Sequence, residues 1–248
     1  MEEEEIQSSK SPVEFLLWAI TIGFVLFMAV AYLSEAAFRV KYSVAKVSSV
    51  AKTVPTTRDE PVQKEYAKER LMKVRWENKP YVLMAQADYS ISGLVVTKNT
   101  NFGLRNLSRT TFDGIAFADV GLTWGDMADK KMLKKYFKFK SYKLAWGARR
   151  IHWQYKWGTP LAHDYINSHV SHNHLVPANK NIASALLKIK KGDIVKIDGY
   201  LVDLYTGNGE VIFKTSMSRD DNDSTARGGG ACENIYVTQV QIGRKIYK

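Results

Sequence analysis

The spacing of apolar residues divides the chain into three regimes. The first is unbroken: from Phe15 to Leu33, FLLWAITIGFVLFMAVAYL runs nineteen residues without a charged side chain. At the helical rise that is roughly 28 Å, close to the hydrocarbon thickness of a bilayer. Ser11, Pro12 and Glu14 supply a start for it: a capping hydroxyl, a proline suited to the first turn, and a glutamate that completes a capping box. No small-residue cleavage site of the A-x-A type follows, so residues 12–34 read as a retained transmembrane helix rather than a removed signal. An acidic tail, residues 1–11, precedes it.

The second regime, residues 35–78, is polar, carries Pro55 and Pro61, and has no lasting apolar period. It predicts a juxtamembrane helical extension followed by a tether.

From residue 79 onward, period two takes over. YVLMAQADYSISGLVVT is rich in β-branched and aromatic residues, and Ile151, Trp153, Tyr155 and Trp157 alternate with His152, Gln154 and Lys156. GDIVKIDGYLVDLYTGNGEVIFKTSMS predicts a hairpin turning near Asn208-Gly209, and NIYVTQVQIG a last strand. Two short helices fit DMADKKMLKKYF, with Asp126 as a cap, and NKNIASALLKI. The prediction is an α+β soluble domain over 79–248, mainly antiparallel β, a small barrel or sandwich with two short helices.

Charge changes this picture in one place. The net charge is +11, and the window from Lys130 to Lys156 holds ten Lys or Arg and no Asp or Glu. Aromatics are interleaved there: Tyr136, Phe139, Tyr142, Trp146 and Trp153. Such a basic surface suits anionic lipid headgroups or another polyanion, or it is a solvated face over core aromatics. The contact candidates are Lys134, Lys135, Lys138, Lys140, Tyr142, Arg149 and Arg150, with His169 beside them. Nucleic acid is disfavoured by the membrane anchor.

Three of the five histidines, His169, His172 and His174, fall in SHVSHNHLVPAN. On a strand His172 and His174 share a face that His169 does not, and on a helix only His169 and His172 are neighbours. With no second cluster of Cys or His, neither a metal nor any other cofactor is expected. Polar turn residues bonded to backbone are the simpler reading. Cys232 is the single cysteine, so no intramolecular disulfide forms. It is either an inert thiol or a nucleophile activated by a histidine close in space.

The blocks DEPVQ (59–63), VGLTWGDMAD (120–129), HVSHNHLVPAN (169–179), KKGDIVKIDGYLV (190–202), TSMSRDD (215–221) and GACE (230–233) together resemble a family of uncharacterised bacterial proteins with an N-terminal membrane anchor. The matching positions of the histidine block are His169, His174, Leu175, Pro177 and Ala178, and His172 departs from the pattern. The resemblance implies an extracytoplasmic domain at the bacterial inner membrane and no known activity. The order anchor, β-rich domain, His, KKGD strand, Cys and late Arg is also similar to that of sortases. That resemblance implies His174 as acid/base, Cys232 as nucleophile and Arg244 as oxyanion or substrate partner. Cys232 follows Gly-Ala here, where sortases have a β-branched strand end.

The sequence therefore predicts a single-pass membrane protein with a binding or assembly role at the membrane surface. Its partners would be the bilayer through residues 12–34, and anionic lipid, another polyanion or a membrane protein at the basic window. A Cys/His acyl-transfer enzyme, transpeptidase or hydrolase, is the alternative. The cations Arg39, Lys41, Lys46 and Lys52 follow the span, against Lys10 before it. That asymmetry predicts a cytoplasmic domain, opposite to what the family resemblance implies.

Overall fold

The computed structural model describes residues 11–101, 110–143, 149–218 and 232–248. The acidic tail before Ser11, and Trp146 of the basic window, lie outside the described residues.

Helix α1 (Pro12–Lys41) opens with the expected capping box: Ser11 Oγ accepts from the Glu14 amide, and the Ser11 amide donates to Glu14 Oε2. Its best window has a mean hydropathy of 2.3 and none of it is buried, so it is long and apolar enough to cross a membrane. The helix ends where the domain begins. Phe38 packs on Tyr42 and Phe117, and buried Tyr42 meets Phe117 edge-on at 4.8 Å.

The segment expected to be a tether is ordered in its second half. After short β1 (Ser49–Val50), strand β2 (Val62–Trp76) runs antiparallel to the 22-residue β3 (Lys79–Thr100). Glu77 and Asn78, both at positive φ, make the two-residue turn that such a hairpin requires. Most of β2 faces solvent, which is why it reads as polar. Of its apolar residues, Tyr66 and then Met72, Val74 and Trp76, the last three at every second position, pack against the core. The turn also holds the helix end: Glu77 accepts from Lys41 Nζ at 2.6 Å and from the Tyr42 hydroxyl at 3.0 Å.

The remaining strands are β4 (Ala118–Thr123), β5 (Phe137–Lys143), β6 (Arg149–Tyr155), β7 (Val170–Pro177), β8 (Ile194–Thr206), β9 (Val211–Phe213), β10 (Glu233–Ile242) and β11 (Lys245–Tyr247). Helix α2 (Lys130–Tyr136) is capped by Asp129, not Asp126, and α4 (Lys180–Lys188) by Asn179. Helix α3 (His163–Ser168) is an addition to the two expected.

Five strands close on themselves. β3 pairs with β4, β4 with β7, β7 with β10, β10 with β8, and β8 back with β3. Every pair is antiparallel except β7–β10, which is parallel. Numbered along the chain, the ring order is 1-2-3-5-4, with α4 between the third and fourth strands. That is the topology of an OB-fold barrel, so the barrel alternative holds over the sandwich. Ala87, Tyr89, Ile91, Val120, Leu122, Leu175, Ile197, Ile235 and Val237 belong to its core.

Candidate functional site

Alternation along β7 sends Leu175 to the barrel core and His172 and His174 to the opposite, outer face. Strand β4 lies beside it in a register that sets Asp119 opposite His174 and Gly121 opposite His172. Gly121 has a reason to be glycine: a Cβ there would collide with Ile151 of β6 and Thr97 of β3. On the other side of β7 the parallel partner pairs Glu233 with Asn173, so Cys232, one residue earlier, stands alongside His172.

The outcome is a buried polar layer. His172 Nδ1 lies 3.3 Å from Cys232 Sγ, and the two imidazoles are 4.8 Å apart between ring centres. His174 Nδ1 donates to Asp119 Oδ1 at 2.7 Å. Arg149, the first residue of β6, grips Asp119 with Nη1 at 2.9 and 3.1 Å and reaches Asp113 with Nη2. The guanidinium also rests on the Phe112 ring, 4.6 Å from its centre.

Electrostatics follow from burial. Desolvation, helped by His174 and Arg149, pushes His172 down to about 3. Desolvation, then Arg149, holds His174 well below the ordinary imidazole value. Desolvation also lowers Arg149 to about 10, which leaves it charged. At neutral pH both imidazoles are therefore uncharged, and Arg149 is the cation that compensates the two buried carboxylates, Asp113 and Asp119.

The other sequence candidates scatter. His169, on the far side of the block, stacks on Tyr165 and sets Nε2 3.0 Å from Glu60. Glu60 also accepts from the Trp124 indole at 2.9 Å. Arg244 sits in the turn beyond the other end of β10, donating to the Ala51 carbonyl. Of the expected trio, His174 and Cys232 come together, with a ligand atom of each within 4.8 Å of the other, while Arg244 lies elsewhere, and the imidazole in hydrogen-bond reach of the thiol belongs to His172. Arg149 leaves the surface candidates for a physical reason: its charge is consumed by Asp113 and Asp119.

The rest of the basic window is a surface. Lys134, Lys138 and Lys140, all exposed, join Lys130 and Lys191 around a groove of about 520 Å³. Its floor is apolar, formed by Leu94, Val96, Leu133, Phe137 and Phe139. Lys130 Nζ is tied to the Gly192 carbonyl at 2.8 Å, and exposed Lys135 lies over the Tyr136 ring. Exposed Arg150 and Tyr142 extend the face along the β5–β6 hairpin, and Trp157 just past it is fully exposed. Five cations around an apolar floor are complementary to an anionic amphiphile.

Compared with known proteins, the chain matches no family model, no curated protein and no solved structure.

Proposed function

We propose that the chain is a single-pass membrane protein whose OB-type barrel binds anionic lipid of the bilayer that anchors it. The groove between α2 and β5 is the observation that carries this reading. Its lysines supply headgroup contacts, and its floor accepts part of an acyl chain. The unpacked apolar helix α1 keeps the domain at a bilayer surface, where such lipid is concentrated. Tyr142, Tyr155 and Trp157, exposed on the same hairpin region, suit the interfacial zone.

An acyl-transfer reading has one observation in its favour, the Cys232–His172 contact. Lipid binding is preferred because the cation of that layer, Arg149, is already paired with Asp113 and Asp119, Arg244 lies beyond the other end of β10, and burial leaves His172 a weak base.

The resemblance to anchored bacterial proteins supports an extracytoplasmic domain at the inner membrane, and the cation asymmetry supports the reverse. An alkaline phosphatase fused at the C-terminus decides: activity means the domain is outside. Native mass spectrometry of the detergent-solubilised chain, mixed with equal phosphatidylglycerol and phosphatidylcholine, tests the main claim. Selective retention of phosphatidylglycerol is expected. Equal retention of both contradicts it.

A further inference from the structure

The lipid reading makes no use of the histidine and cysteine layer, and that layer has the features of a different site. His172, His174 and Cys232 each offer one ligand atom, and the three atoms lie within 4.8 Å of one another. Both imidazoles are fully enclosed, yet Nε2 of His172 and Nε2 of His174 make no hydrogen bond. Two buried ring nitrogens without partners are costly unless a further group meets them.

The orientation of His174 indicates what that is. Its Nδ1–H is spent on Asp119, which fixes the tautomer and leaves a lone pair on Nε2. A carboxylate behind an imidazole in this way is the usual outer shell of a histidine metal ligand. Here the shell extends one layer further, because Arg149 and Asp113 lock Asp119 in place. The charges also agree: Asp113, Asp119 and Arg149 together leave one negative charge, and a bound thiolate adds a second, enough for a divalent ion.

We propose that His172, His174 and Cys232 bind one late first-row transition metal ion, zinc or copper(I), through two nitrogens and one sulfur. A thiolate with two imidazoles selects these borderline-to-soft ions over magnesium or calcium. Bond lengths of about 2.0 Å to nitrogen and 2.3 Å to sulfur bring ligand atoms to about 3.5 Å apart, so side-chain shifts of about 1 Å complete the site. Binding breaks the Cys232 S–H bond and forms a metal–sulfur bond, and the proton passes to solvent. With zinc, which takes four ligands, three protein ligands leave a position open for a water or an exogenous ligand, whereas they satisfy a trigonal copper(I).

The test uses the full chain in detergent, reduced and stripped with a chelator. Zn²⁺ and Cu⁺ are titrated separately against competing chromophoric chelators, and Co²⁺ is added as a spectroscopic probe. One ion per chain is expected with submicromolar affinity, together with a thiolate-to-cobalt charge-transfer band. Cys232→Ser should remove the band, and Cys232→Ser and His172→Asn should each weaken binding at least 100-fold. Near-UV circular dichroism confirms that these variants stay folded, as expected for a half-buried thiol and a close amide substitute. The proposal is overturned if folded wild-type protein takes up no stoichiometric ion, or if both variants bind as well as wild type. Lys134→Gln, Lys138→Gln and Lys140→Gln should leave metal affinity unchanged, which separates this outcome from failure of the lipid reading.

Discussion

Cys232 Sγ stands 3.3 Å from His172 Nδ1 although 60 residues separate them. The contact exists because β7 and β10 are the one parallel pair in the barrel, and their register carries Cys232 to the level of His172. The same strand brings His174 to Asp119 across an antiparallel pair. One strand, flanked differently on its two sides, thus brings both histidines, Asp119 and Cys232 together.

That layer depends on its internal ion pairs. Arg149→Met would leave Asp113 and Asp119 buried without their cation, at a cost of about 3–5 kcal/mol. Unfolding of the detergent-solubilised chain in urea measures it. Adding Asp113→Asn and Asp119→Asn to Arg149→Met should recover much of the loss, because the three groups act as one unit. A triple variant no more stable than Arg149→Met would show that the cation is not what holds the layer together.

Closure of the barrel should be sensitive at Gly199, which pairs with Val237 between β8 and β10 beside a register shift. A Cβ at Gly199 would run into the Tyr236 carbonyl oxygen, which is backbone and has no rotamer to escape into. Gly199→Ala is expected to destabilise by about 1–3 kcal/mol. Hydrogen exchange should localise the effect to β8 and β10, and uniform protection identical to wild type would refute it.

Lys98 gives a pH signature. Its ammonium donates to the carbonyls of Leu187 and Ile189 at the end of α4, and desolvation lowers it from 10.5 to about 8. Between those values the unfolded chain binds more protons than the folded one, so this group's contribution to stability rises as pH increases from about 8 toward 10.5. Wild type should therefore gain on Lys98→Met across that window, seen as a rise of the wild-type urea midpoint relative to that of the variant. A constant difference would mean that Lys98 is solvated.

Much of this architecture is legible in the sequence, and what is hidden has physical causes. The nineteen-residue apolar run and Ser11 capping box define α1, and the β-branched and aromatic run over residues 81–97 marks most of β3. Strand β2 escapes notice because an arm paired on one edge and wet on most of its surface needs few apolar residues. Met72, Val74 and Trp76 are its only periodic trace. The site is harder still. Spacing correctly separates His169 from the face shared by His172 and His174, but proximity of Cys232 requires the β7–β10 register, which no local pattern encodes. Arg149 looks like its neighbour Arg150 in sequence. Only tertiary packing makes one a buried clamp and the other a surface charge.

The groove is the centre of the functional account, and its lysines can be neutralised without touching the core. Each lysine at a headgroup is worth about 1 kcal/mol, so Lys134→Gln, Lys138→Gln and Lys140→Gln together should weaken binding of short-chain phosphatidylglycerol about 100-fold, at about 1.4 kcal/mol per factor of ten. Isothermal titration of the full chain in detergent measures this directly. That loss is expected for phosphatidylglycerol and none for phosphatidylcholine; equal affinity of wild type and triple variant for phosphatidylglycerol would contradict lipid binding in the groove.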